Sequence, residues 1–170
     1  IHTDSCYSGE ELICKKPEHR HSAECFPNIT ADLENASDWE NMFKNVTITN
    51  DVSQNLISVA STQVGYAESS RNYEFDSYAK KKGYTRYGEW YGNPYGDWSA
   101  MFVSFCLNYA DVEDSDLLQN SGAEAMRLQW TEEGLFEEAA FHTPEKGELV
   151  FLDTDADLSA DTVGIVKDYT

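Results

Sequence analysis

The chain has 170 residues, 41% hydrophobic and 13% aromatic, enough to bury one sizeable core. Twelve basic residues against 31 acidic ones leave a formal charge of −19, which argues against nucleic-acid binding and docking on anionic lipid. No run of about 18 apolar residues is present, so no membrane insertion is expected.

The chain begins at Ile1 rather than Met, so it reads as an excised fragment whose export signal would lie outside it. Histidine and cysteine crowd into the first 25 positions: His2, Cys6, Cys14, His19, His21 and Cys25. The H-x3-C unit at His2/Cys6 recurs at His21/Cys25, which suggests a short repeat. Thiolates mixed with imidazoles at short spacing suit a tetrahedral structural zinc site. A segment this polar has no core of its own, and zinc would supply its folding free energy. Four of the six residues would bind. His2, Cys6, Cys14 and His19 form one set, and Cys6, Cys14, His21 and Cys25 form another. A disulfide among the three cysteines is the alternative.

Residues 28–50 are polar and read as a linker with a short amphipathic helix over 37–44, capped by Ser37. The stripe Val52, Leu56, Val59, Ala60 and Val64 predicts a helix over 51–64, ended by Gly65. A long aromatic loop over 66–98 follows, with a basic patch of Arg71, Lys80, Lys81, Lys82 and Arg86. Tyr84, Tyr87, Trp90, Tyr91, Tyr95 and Trp98, with Arg86, are its candidate recognition residues. Packing of the loop onto the core is the competing role for each aromatic. The most apolar helix is expected over 97–110, with Asp97 as N-cap and Cys106 as an inert core thiol. A helix over 121–133 and strands over 147–153 and 162–166 complete the pattern.

The run Asp153, Asp155, Asp157, Asp161 copies four ligand places of a calcium loop. Leu158 stands where that loop has glycine, and Gly164 where it has its bidentate glutamate. Calcium binding and a hydrated acidic turn are both consistent with the spacing.

SVASTQVGYAESSRNY, KKGYTRYGEWYGNPYGDWSAMFVSFCLNYA and PEKGELVFLD…ADTVGIV resemble a CHAP-type amidohydrolase/peptidase domain, a papain-like cysteine hydrolase of bacterial peptidoglycan. The resemblance covers about Leu56 to Val166 and implies an α+β fold, with helices packed on a small antiparallel sheet. It divides the chain into an appendage over 1–27, a linker over 28–50 and the CHAP-like domain over 51–170. The first 25 residues also resemble His/Cys segments of large surface proteins of anaerobic gut bacteria, with Lys15 where those have glycine. That implies an extracellular or secreted location and a monomeric module of a larger chain.

In such domains a cysteine opens the helix after GDW, where the helix dipole and a histidine stabilise its thiolate. The histidine opens the second strand in a DHVGIV motif and acts as base, then acid. Here Ser99 and Thr162 occupy those two positions. A serine hydroxyl needs a general base, and threonine is none. The pattern also expects a polar residue on a later strand, and the chain stops at Thr170, so the domain reads as C-terminally truncated. The expected function is therefore that of a non-catalytic binding module. Its partner would be a host glycoprotein such as immunoglobulin, or a peptidoglycan stem peptide. A cell-wall amidase in an inactivated form is the alternative.

Overall fold

A computed structural model describes residues 7–8, 11–12, 26–112 and 115–169. Two short strands, β1 (Tyr7–Ser8) and β2 (Glu11–Leu12), pair antiparallel near the start of the chain. All six candidate zinc ligands lie outside the described residues.

The helix α1 (Ala36–Phe43) is capped by Asn35, two residues before Ser37. The Asn35 Oδ1 accepts from both the Ser37 N–H and its hydroxyl, so Ser37 becomes a donor inside the helix. Asp38 returns a bond to the Asn35 N–H at 2.7 Å, completing a capping box. The helix α2 (Val52–Ser61) begins where a helix was expected, with Asp51 as its N-cap. It ends sooner, and a turn carries the chain to Gly65 at φ +93°.

Residues 28–50 are not a linker. Trp39 is 5% exposed and its indole N–H donates to the Tyr109 hydroxyl at 2.8 Å. Phe43 stacks on Tyr109 with ring centroids 4.5 Å apart. Glu34 pairs with Arg86 at 2.8 Å, and Asp32 with Arg71 at 2.6 Å. Each of these partners lies far along the chain, so the segment is fastened to the body by non-local contacts.

The expected aromatic loop carries regular structure. The hairpin β3 (Tyr73–Phe75) and β4 (Lys81–Gly83) pairs antiparallel, with Glu74 opposite Lys82. The short helix α3 (Arg86–Tyr91) follows, with the Thr85 hydroxyl accepting from the Gly88 N–H at 3.0 Å. Gly92 closes α3 in the left-handed region at φ +91°, a conformation that favours glycine. Gly88 is fixed by space instead: a Cβ there would lie 2.3 Å from the Asn93 carbonyl oxygen.

The helix α4 (Ser99–Tyr109) is buried from Ala100 to Leu107 except for Phe102, which is half-buried. Such a helix is apolar nearly all round and forms the centre of the core. The helices α2 and α3 pack on α4, as does the final hairpin. A four-residue helix, α5 (Ser115–Leu118), and α6 (Ala123–Glu132) follow. The final hairpin is β5 (Leu149–Leu152) against β6 (Thr162–Ile165), with Leu152 opposite Thr162 and Phe151 opposite Val163. The architecture is α+β, with two-stranded antiparallel sheets among the described residues. Among these residues no helix is long and apolar enough to cross a membrane.

Candidate functional site

Ser99 is the first residue of α4, and Thr162 is the first residue of β6. Packing of α4 against β6 brings the two together, and the Val163 N–H points to the Ser99 Oγ at 3.4 Å. The helix begins without a side-chain cap, because Trp98 holds the N-cap place. Asp97 was the expected cap, but its carboxylate pairs with the Lys82 ammonium instead. The positive end of the α4 dipole thus opens beside Ser99 with no side-chain carboxylate bonded to it.

A cleft of about 700 Å³ surrounds this point. One wall is Lys80, Lys81 and Lys82 with Glu68, and the other is Asp161, Thr162 and Val163. Trp98, Tyr66 and Phe102 form its aromatic part. Burial pushes the Tyr66 phenol up to about 12, so it is a neutral donor at any ordinary pH. That donor position is fixed, since the Tyr66 oxygen already accepts from the Arg86 N–H at 2.7 Å.

Among the described residues no imidazole or thiol lines the cleft. His142 is the single histidine among the described residues, and it lines a different cavity. Cys106 is fully buried in α4, and burial pushes its thiol up, as expected for an inert core residue. Among the described residues the cleft therefore sets neither an imidazole nor a thiol beside Ser99, and its titratable groups are lysines, Tyr66 and the carboxylates of Glu68, Asp97 and Asp161.

The candidate recognition aromatics divide. Tyr84 and Tyr87 are each 1% exposed and Arg86 is 7% exposed, so these three are core residues and not a surface for a partner. The Tyr84 hydroxyl accepts from the Glu34 N–H at 3.0 Å, and Tyr87 donates to Gln63 at 3.3 Å. Arg86 reaches Glu34 and Gln63 and lies over the Tyr66 ring at 4.1 Å. Tyr95 is spent on Asn72 at 2.8 Å, and Trp90 packs edge-on against Phe105. Tyr91 is exposed, and Trp98 alone of the seven lines the cleft. No family model, curated protein or solved structure matches the chain.

Sequence reasoning missed Glu68 as a cleft residue, and no motif marks it. It also missed Glu124, which positions the second wall. The Glu124 carboxylate accepts from the Arg127 guanidinium and from the Ala160 N–H, the latter at 2.8 Å. The bond to Arg127 and then that to Ala160 hold its pKa down to about 2. This bond ties the approach to β6 onto α6.

The acidic run forms the turn between β5 and β6. Carboxylate oxygens of Asp153, Asp155 and Asp161 lie within 4.8 Å of one another, while Asp157 stands outside this group. Asp153 accepts from the Ala156 and Leu158 N–H groups, and Asp161 from the Thr154 N–H and hydroxyl. Repulsion by Asp157 and Asp161 raises the Asp155 pKa. Leu158, at the calcium loop's glycine place, takes φ +73°.

Proposed function

We propose that the chain is a non-catalytic binding module of a secreted or cell-surface bacterial protein, built on a papain-like scaffold that has lost its catalytic pair. The observation that carries this reading is the cleft at Ser99. The serine opens α4 and faces β6, where a papain-like hydrolase needs its nucleophile and base. Among the described residues no imidazole lines the cleft to serve as the papain-type base, and the bond to the Ser99 hydroxyl comes from the Val163 N–H. What is left is a shaped cavity with a helix N-terminus, lysines and Trp98, which suits binding without turnover.

A peptide carrying carboxylates, such as a peptidoglycan stem peptide, is the ligand this cleft favours. Lys80 and the open end of α4 would face its carboxylates, and Trp98 and Phe102 its apolar groups. A host glycoprotein, immunoglobulin included, is the second reading. It is supported by the exposed Phe75 and Tyr78 of the β3–β4 hairpin and by Tyr91 of α3. Peptidoglycan co-sedimentation of the whole chain, run beside a pull-down from serum and mucus, separates the two. Binding to peptidoglycan, weakened roughly tenfold by Trp98→Ala, is the expected result. Retention of neither ligand would sink the recognition role.

We also propose that the segment ahead of residue 26 binds zinc, on the ligand types and spacing of His2 to Cys25. Metal analysis of protein purified without added metal is expected to find about one zinc per chain. A metal-free chain with oxidised cysteines would overturn it.

A further inference from the structure

A second cavity of about 540 Å³ lies between α6, the 134–148 segment and β5, apart from the Ser99 cleft. Its walls include Trp130, Phe136, Leu149 and Phe151. Phe136 and Phe151 meet edge to face with centroids 6.0 Å apart, which leaves ring surface turned to the cavity. Three carboxylates also line it, those of Glu137, Glu138 and Glu148. Among the described residues no lysine or arginine does. Among them the one lining group able to carry positive charge is His142. Its Nε2 lies 2.8 Å from Glu148 and its Nδ1 3.3 Å from Glu137.

We propose that this cavity binds a basic peptide segment, seating an arginine or lysine against Glu137, Glu138 and Glu148 and an apolar neighbour on Phe136 and Phe151. The volume is that of a pocket for a ligand larger than one side chain. An apolar wall lowers the local dielectric and strengthens attraction between the carboxylates and an incoming cation. The aromatic wall adds to it, since a cation over a ring face is attracted by the quadrupole. Arg127 already shows this at Phe136, 5.4 Å from the ring centroid. It is held there by its ion pair with Glu124, with the Glu138 charge also acting on it, while Glu137 and Glu148 form ion pairs with His142 and with no arginine among the described residues.

His142 makes the binding pH-dependent. The hydrogen bond to Glu148 raises its pKa, with Glu137 and Glu145 adding to the effect. These three glutamates are the charged groups that face the ring, with Glu138 in the same cavity. Lys146 is turned to Asp168 at 3.6 Å, and Arg127 to Glu124. Below its pKa the imidazolium neutralises the carboxylates that the ligand needs. Above it the ring is neutral and the carboxylates are free to pair. Binding thus strengthens as pH rises through the His142 pKa, and a bound cation lowers that pKa in return.

The probe is acetyl-phenylalanyl-arginine amide, with the glutamine analogue as neutral control, titrated into the whole isotope-labelled chain. The readout is the indole N–H resonance of Trp130, which is fixed by its bond to the Leu118 carbonyl at 3.0 Å. A saturable shift is expected with the arginine peptide at about pH 8, weakening several-fold near pH 5.5. Glu148→Gln is expected to weaken it roughly fivefold while keeping an acceptor for the Glu145 N–H, so the fold is retained. His142→Gln is expected to keep the binding and remove its pH dependence. An unmoved Trp130 resonance, equal affinity for the glutamine peptide, or tighter binding in acid would each overturn the proposal.

Discussion

Phe105→Ala is expected to lower the unfolding free energy by about 3–5 kcal/mol, the largest effect of any single truncation here. Phe105 is fully buried in the middle of α4. Its ring meets those of Trp39 and Phe43 from α1, Tyr87 and Trp90 from α3, and Tyr109 from α4 itself. Three helices therefore depend on one side chain, and none can move in to fill the space without giving up its own contacts. Urea denaturation followed by tryptophan fluorescence measures the loss. Phe141→Ala is the control, since Phe141 is 87% exposed and should change stability by less than about 0.5 kcal/mol. Similar midpoints for the two variants would mean that the aromatic cluster does not hold the helices together.

The second expected result concerns the cleft. A thiol introduced by Ser99→Cys should alkylate slowly near neutral pH, because the helix dipole alone lowers its pKa only modestly. Adding Thr162→His should speed alkylation at position 99 roughly tenfold or more, as an imidazolium at the start of β6 stabilises the thiolate. Peptide mapping with iodoacetamide reads each cysteine separately, and buried Cys106 serves as the unreactive internal reference. Muropeptide cleavage by the double variant would favour the alternative of an amidase inactivated at two positions. An unchanged alkylation rate would show that residue 162 does not face residue 99, and the papain-like reading would fall with it.

The elements that sequence periodicity located are those whose burial is a matter of local pattern. The stripe Leu56–Val59 and the apolar run of α4 announce their helices, and GELVFLD and TVGIV announce the last hairpin. Caps were less legible where two formers compete. Asn35 took the place of Ser37, and Asp97 was drawn off by a lysine fifteen positions earlier. The role of residues 28–50 was not legible, because it depends on partners far along the chain. Nothing near Trp39 reveals Tyr109, and nothing near Glu34 reveals Arg86. The same non-locality explains the aromatics. Tyr84 and Tyr87 have recognition-type side chains, but Glu34 and Gln63 reach them from distant segments and place them inside. Ser99 and Thr162 were legible as a pair only through the family resemblance, and the Val163 contact is what puts them on one cleft.

The walls of that cleft differ in one more respect. Most of α4 is sealed inside the protein, so its amide protons should exchange with solvent only when the whole chain unfolds. The β3–β4 hairpin that carries Lys81 and Lys82 has three-residue strands that pair with no third strand among the described residues, and Glu74, Phe75 and Lys81 on it are exposed. It should open alone and exchange quickly. A ligand entering the cleft would meet one wall that does not yield and one that adjusts to it. The ordering that accompanies binding would then be concentrated in the hairpin, and selectivity would be set by the rigid start of α4.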